Sequence, residues 1–331
     1  MTGVQTCALP IYMGLNLSSP VLAAASDYTF DIENILRLEQ AGIGAVVLKS
    51  LFEEQIAMDV DAQRANNMFE TYSYNEDYIA FYARKHAVDS YLDLIRQAKQ
   101  RTGIPIIASI HCSSAGKWAE FARLIEQAGA DALELNIFIL PSDPLQSDDQ
   151  IKQKYFQIVD EVKKHTRLPI AVKMHYYFTG LANFMVEMGK KANALVLFNR
   201  FFNTDIDIDK LRVGSAGTLS SETDNYMVQR WLGILSPIVS AQLTASGGVH
   251  QWQTVVKDLL AGATVVQIAT ALYKNGPVIV ETLNHQLQNW MQQKQYRDIE
   301  SFRGKLNHKS VQNPGLYERA QFMRYFADGG K

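Results

Sequence analysis

Two cysteines in 331 residues cannot build a disulfide framework, and their scarcity fits a reducing compartment. No uninterrupted apolar run is long enough to span a bilayer, so no membrane-embedded segment is expected. Neither sign of charge dominates. The formal net charge of −2 removes broad attraction to nucleic acid or to anionic membrane surfaces. Repeats, low-complexity tracts and proline-rich linkers are missing, so the chain reads as one domain. What remains is 47% apolar and 20% charged residues, the profile of a soluble globular protein with a large core. The length suits a single α/β barrel.

Residues 1–11 read MTGVQTCALPI. The string resembles a translated sequencing-library adapter. It lacks the basic start and longer apolar stretch of a signal peptide, and a β-strand is the other rival. Residues 1–11 are therefore set aside as an adapter artefact, with the natural start missing. One domain is expected over 12–331, with Cys112 as the one native cysteine.

From there a short apolar run followed by a helical period recurs. The runs are Val21–Ser26, Ala45–Ser50, Pro105–His111, Ala132–Phe138, Pro169–His175, Ala194–Asn199, Gln242–Gly248 and Val265–Thr270. Strands so uniformly apolar are buried on both faces, which means parallel strands covered by helices. Eight units predict a closed (β/α)8 TIM barrel rather than an open sheet. An open dinucleotide-binding sheet would want Gly-x-Gly-x-x-Gly after its first strand, where Ser26-Asp27-Tyr28 stands. Gly42, Gly129 and Gly262 each follow an alanine at a helix end, where a left-handed residue stops the helix. Insertions are expected after strands 2, 4 and 6, at Leu51–Lys85, Ile139–Asp149 and Phe201–Thr223. The alternation in DIDIDKLRV predicts one excursion strand inside the last. All three leave the catalytic face of a barrel. Residues from about Arg303 onward read as a C-terminal extension, packed on the barrel or on a partner.

Polar residues that end apolar strands point into the barrel mouth. Ser246-Gly247-Gly248 and Ala269-Thr270 match a barrel phosphate site, because glycine lets backbone N–H groups approach phosphate oxygens. The plain alternative is a pair of ordinary turns. Lys49 and Lys173 end two other strands. Each either meets an anion or snorkels at the rim. Asn136 and Asn199 suit a planar amide-like ligand or cap loops. His111 and His175 are either acid–base groups or hydrogen-bonded rim histidines. Cys112 has no activating neighbour and reads as an inert thiol. The strand ends do not gather enough ligands for a metal.

These residues together resemble the dihydroorotate dehydrogenase family, in its soluble class 1 branch. Thr244–Pro277, with its Leu-x-x-Gly-Ala-x-x-x-Gln-Ile-x-Thr-Ala-Leu run, carries most of the likeness. The other strand ends keep the family order, and the likeness spans roughly residues 13 to 305. The resemblance implies FMN and a small-molecule substrate. It places Ala25, Ser26, Lys49, Ser50 and Asn136 around the flavin ring, and Lys173 at its N1–C2=O edge, where a cation stabilises the reduced form. It places Phe198 and Asn199 on the other side, and Ser220, Gly247, Gly248, Ala269 and Thr270 at the phosphate. Lys49, Asn136 and Asn199 also face the substrate. A cytoplasmic homodimer is implied as well.

Two departures stand out. Where the family carries its catalytic cysteine, this chain reads Asn136-Ile137-Phe138-Ile139-Leu140, and Ile139 or Leu140 occupies the base position. Neither accepts a proton, and loss of a general base costs about 10²–10⁴ in rate. The family's substrate loop after strand 2 is replaced by the region around residues 66–85. The expected activity is oxidation of dihydroorotate, or of a related ring, by hydride transfer to flavin N5. His175, His111 or an inserted residue would then serve as base. The alternatives are an FMN barrel acting on another substrate and a flavin-free sugar-phosphate isomerase using Glu134, which shares a strand face with Asn136.

Overall fold

The computed structural model describes residues 10–53, 74–112, 115–200 and 203–318. Among the described residues a small antiparallel hairpin, β1 (Ile11–Tyr12) and β2 (Leu15–Asn16), comes first. Eight parallel strands then close on themselves. In chain order these are β3 (Val21–Ala23), β4 (Ala45–Val47), β6 (Ile106–His111), β7 (Ala132–Asn136), β8 (Ile170–Met174), β9 (Ala194–Leu197), β12 (Gln242–Ser246) and β13 (Val265–Ile268). β13 pairs with β3, and the ring is complete. β5 (Leu51–Phe52) adds a short second pairing at the top of β6. The barrel read from the eight apolar runs is therefore the fold.

Two apolar cores follow from the two-residue period of the strands. Val46, Ile106, Leu133, Val172 and Leu195 point outward into the layer under the helices. Leu22, Ala45, Ile107, Ala132, Ala171, Ala194 and Val265 point inward. The inward ring is rich in alanine, which leaves room for Tyr12 from the hairpin. Its hydroxyl accepts a hydrogen bond from Thr244 Oγ1 at 2.9 Å, and the ring is 1% exposed. The hairpin thus plugs the amino-terminal end of the barrel, and Gln242 fastens it through Met13 N–H and the Ile11 carbonyl.

The helices are α1 (Ile32–Gln40), α2 (Tyr74–Arg101), α3 (Ala115–Ala128), α4 (Asp148–His165), α5 (Leu181–Gly189), α6 (Asn225–Leu235), α7 (Trp252–Ala261), α8 (Thr270–Asn275) and α9 (Val278–Gln293). Gly42, Gly129 and Gly262 all have positive φ, as expected at helix ends. Among the described residues no helix is long and apolar enough to cross a membrane.

Several boundaries differ from the sequence reading. Several ladders stop one to three residues before the polar strand ends, so Ser26, Lys49 and Asn199 sit on loops and Thr270 opens α8, rather than lying on strands. DIDIDKLRV is not one strand but a hairpin, β10 (Thr204–Asp207) and β11 (Arg212–Ser215). Asp207 accepts the Lys210 N–H at 3.0 Å and closes the turn, so the side-chain hydrogen bond overrides the alternation. The stretch Leu51–Lys85 is not all loop, because α2 begins at Tyr74. Its residues 54–73 lie outside the described residues. After α9 the chain returns to the barrel. The N–H groups of Gly304 and Leu306 reach the Leu259 and Leu260 carbonyls in the last turn of α7.

Candidate active site

Above the alanine ring, the inward positions turn polar. Lys173 on β8 lies 3.4 Å from Glu134 on the neighbouring β7, and Gln267 Nε2 donates to the other Glu134 oxygen at 2.7 Å. Glu134 is 1% exposed and Lys173 7%. A buried pair of this kind persists only when each charge is compensated. Both Glu134 oxygens are engaged deep in the barrel, so the carboxylate is not placed to act as an isomerase base. Gln267 Oε1 has no hydrogen-bond partner in the protein, although it is buried. Lys173 and Gln267 together form part of the wall of a cavity of about 180 Å³.

The same cavity brings together most of the residues singled out from the strand ends. Ala25 comes from the first barrel strand's loop, and Phe198 and Asn199 from the loop after β9. Ser220, Gly247, Gly248, Ala269 and Thr270 complete its far side. Ser220 donates both its N–H and its hydroxyl to Thr270 Oγ1, each at 3.0 Å, and its Oγ lies 3.2 Å from His250 Nε2. Partial burial, then the Lys274 charge, lower the His250 pKa. Gly247 has φ +107°, and a Cβ there would meet no atom within 4 Å, so its backbone borders open space. Gly248 has φ +70° and a close neighbour instead: a Cβ would lie 2.4 Å from Asn225 N. Only glycine fits at that position.

Ser246, read with the Gly-Gly turn, lines the cavity too; sequence reasoning passed over Arg200, Thr218 and Val249, which also line it. Arg200 donates to the Thr218 carbonyl at 2.6 Å and approaches Asp224 at 3.4 Å, so its guanidinium is held against the rim. A cation directly after Asn199 was the available signal. Gln267 stood inside the quoted Gln-Ile-x-Thr run without a role.

The remaining expected residues lie outside this lining. Lys49 is paired with Asp27 at 2.5 Å, and its ammonium lies 5.7 Å from the centre of the Phe30 ring. Ser50 Oγ is 2.7 Å from Ser109 Oγ, both buried. Ser26 is fixed through its backbone by Thr29 Oγ1, and its own buried hydroxyl has no hydrogen-bond partner. Asn136 Oδ1 accepts from Asn199 Nδ2 at 2.7 Å, which ties Asn136 to the cavity.

The segment after β7 is held from three directions. His111 donates Nδ1–H to the Asn136 carbonyl at 2.6 Å. Tyr155 donates to the Ile137 carbonyl at 3.0 Å. His175 donates Nε2–H to the Ile139 carbonyl at 3.0 Å and accepts the Tyr177 N–H on Nδ1 at 3.1 Å. Burial pushes the His175 pKa down to about 4, despite the opposing backbone bond. The ring is neutral at pH 7, and each nitrogen has a main-chain partner. Ile139 lines a second cavity of about 530 Å³ together with His111 and Cys112. Burial raises the Cys112 thiol pKa, which keeps it protonated. Among the described residues no group of three metal-ligating side chains occurs.

Residues 12–291 match the family model for dihydroorotate dehydrogenase. The chain is 25% identical over 306 residues to a dihydroorotate dehydrogenase B (NAD(+)) catalytic subunit of Thermoplasma acidophilum, covering 88% of this chain and 96% of that protein. It is 26% identical over 322 residues to dihydroorotate dehydrogenase A (fumarate) of Lactococcus lactis subsp. cremoris, covering 89% and 97%. A Methanosarcina acetivorans dihydroorotate dehydrogenase B (NAD(+)) catalytic subunit is 25% identical over 319 residues, covering 91% and 97%.

Proposed function

Because the chain belongs to the dihydroorotate dehydrogenase family, and is thereby a flavin-dependent oxidoreductase acting on a CH–CH group, we propose that its flavin is FMN and that it oxidises dihydroorotate or a closely related small ring. The carrying observation is the single cavity in which buried Lys173 meets the Gly247-Gly248 and Ala269-Thr270 loops. The donor set fits the cofactor. Ser220, Thr270 and the glycine backbone would hold the phosphate, and the unpartnered Gln267 Oε1 and the Lys173 ammonium would face polar edges of the ring. Ala25, Ser26, Ser50, Phe198 and Ala269 would frame the flavin. When bound, FMN supplies a two-electron acceptor at N5.

The protein's own part is binding, orientation and proton handling. Asn136 and Asn199, joined at 2.7 Å, would present a planar amide pair to a ring substrate, and Lys49 would supply a cation to it. We assign the proton lost from the substrate to His111. Its Nδ1–H is committed to the Asn136 carbonyl, which leaves Nε2 as the nitrogen to accept a proton, and it shares a cavity with Ile139. His175, with both nitrogens on the main chain, is assigned a positioning role. The test is anaerobic addition of dihydroorotate to the purified protein. We expect the oxidised flavin band to bleach, and His111→Gln to slow bleaching by about 10²–10⁴. Protein isolated without any flavin absorption overturns the cofactor.

A second reading keeps FMN and changes the substrate. It is favoured by Ile139, whose side chain offers no proton acceptor at the base position. Persistence of the oxidised spectrum with dihydroorotate, and bleaching by cyclic amides, selects it. Reduced flavin reoxidised by cyclic enones selects it also. A cytoplasmic homodimer belongs to the first proposal, and sedimentation in solution tests the assembly.

A further inference from the structure

Asn225 opens α6 and is 1% exposed, yet it does not line the cavity. Its Nδ2 donates twice, to the Gly247 carbonyl at 3.0 Å and to Asp258 Oδ2 at 3.1 Å. Its Oδ1 accepts from Gln229 Nε2 at 2.6 Å. Both amide hydrogens and the carbonyl are therefore engaged. The backbone of Asn225 also abuts Gly248, as does the Ser221 carbonyl, which a Cβ at Gly248 would approach to 3.0 Å. One buried side chain thus joins α6, the Gly247-Gly248 turn and α7.

The geometry of the peptide sharpens this. The Gly247 carbonyl and the Gly248 N–H belong to one trans peptide and point in opposite directions. Pinning the carbonyl on Asn225 turns the Gly248 N–H away from Asn225. Asp258 backs the arrangement from α7. It is fully buried, its Oδ1 has no hydrogen-bond partner in the protein, and desolvation raises its pKa. A carboxyl is retained in that position only where its geometry is fixed.

We infer that Asn225 is a positioning residue that sets the Gly247-Gly248 turn for the phosphate of the flavin nucleotide. The inference rests on the FMN reading above. Its test separates phosphate recognition from folding by titrating flavin-free full-length protein with FMN and with riboflavin, which has the ring but no phosphate. The unaltered protein is expected to prefer FMN. Asn225→Ala weakens FMN roughly tenfold, the scale of one to two lost hydrogen bonds, and leaves riboflavin unchanged. Asp258→Asn keeps an oxygen for Asn225 and keeps the preference. Asn225→Ser, too short to span both partners, repeats the loss if the alanine variant does not fold. An FMN-over-riboflavin preference unchanged in a folded Asn225 variant overturns the positioning role. Equal binding of FMN and riboflavin by the unaltered protein overturns the FMN reading first, and the inference with it.

Discussion

Replacing Lys173 by methionine removes one half of the buried pair and keeps the shape of the side chain. Glu134 then remains at 1% exposure without its cation, with Gln267 still donating to it. Breaking a buried pair in this way costs about 3–5 kcal/mol. The 3.4 Å separation and the retained Gln267 bond, itself worth roughly 1.5–3 kcal/mol to a charged group, place the expected loss near the lower end, at about 3 kcal/mol. Glu134→Gln should cost a similar amount by stranding the ammonium. In the double variant neither charge is left uncompensated, so the two losses should fall short of adding by about 1.5–3 kcal/mol. Urea denaturation of the flavin-free protein measures all three, which separates the folding effect from cofactor binding. Losses below about 1 kcal/mol that simply add would refute the claim that the two charges depend on each other.

Other perturbations follow from the same geometry. Gly248→Ala drives a Cβ to 2.4 Å from Asn225 N at φ +70°, and should cost at least about 2 kcal/mol in chemical denaturation while weakening FMN. Tyr12→Phe loses the Thr244 bond for about 1 kcal/mol, whereas Tyr12→Ala empties the plug and should cost about 3–5 kcal/mol. The His175 pKa is depressed from 6.5 to about 4, so the unfolded chain binds its proton first as pH falls. Stability should therefore decline between about pH 6.5 and pH 4, and His175→Gln should flatten that decline in denaturation midpoints compared at several pH values.

The sequence made the barrel visible because its strands are apolar on both sides. Val21–Ala23 and Val265–Ile268 read as strands from composition alone, and the glycines after α1, α3 and α7 marked the returns. Helices α2, α4, α6 and α8 were not read. For α4 the signal was present: Ser147 accepts the Gln150 N–H, Gln150 returns the bond, and the pair forms a capping box. The hairpin β10–β11 was misread because an alternating strand and an alternating strand that folds back look alike until the Asp207 turn is seen. At the site, glycines and strand-end polar residues were legible because few side chains tolerate those positions. The Asn225–Asp258 clamp was not, since its members lie 33 positions apart on two helices and neither carries a motif.

Tyr12 and Thr244 are 232 positions apart, and Gln242 reaches back to the same hairpin. That distance sets an order of events during synthesis. The hairpin leaves the ribosome with an aromatic ring that has no partner at Thr244 until 232 further residues have followed. A nascent chain that stops short of β12 leaves the Tyr12 hydroxyl without Thr244 and the hairpin without its Gln242 fastening. The plug is made before every barrel strand and seated only once β12 has followed.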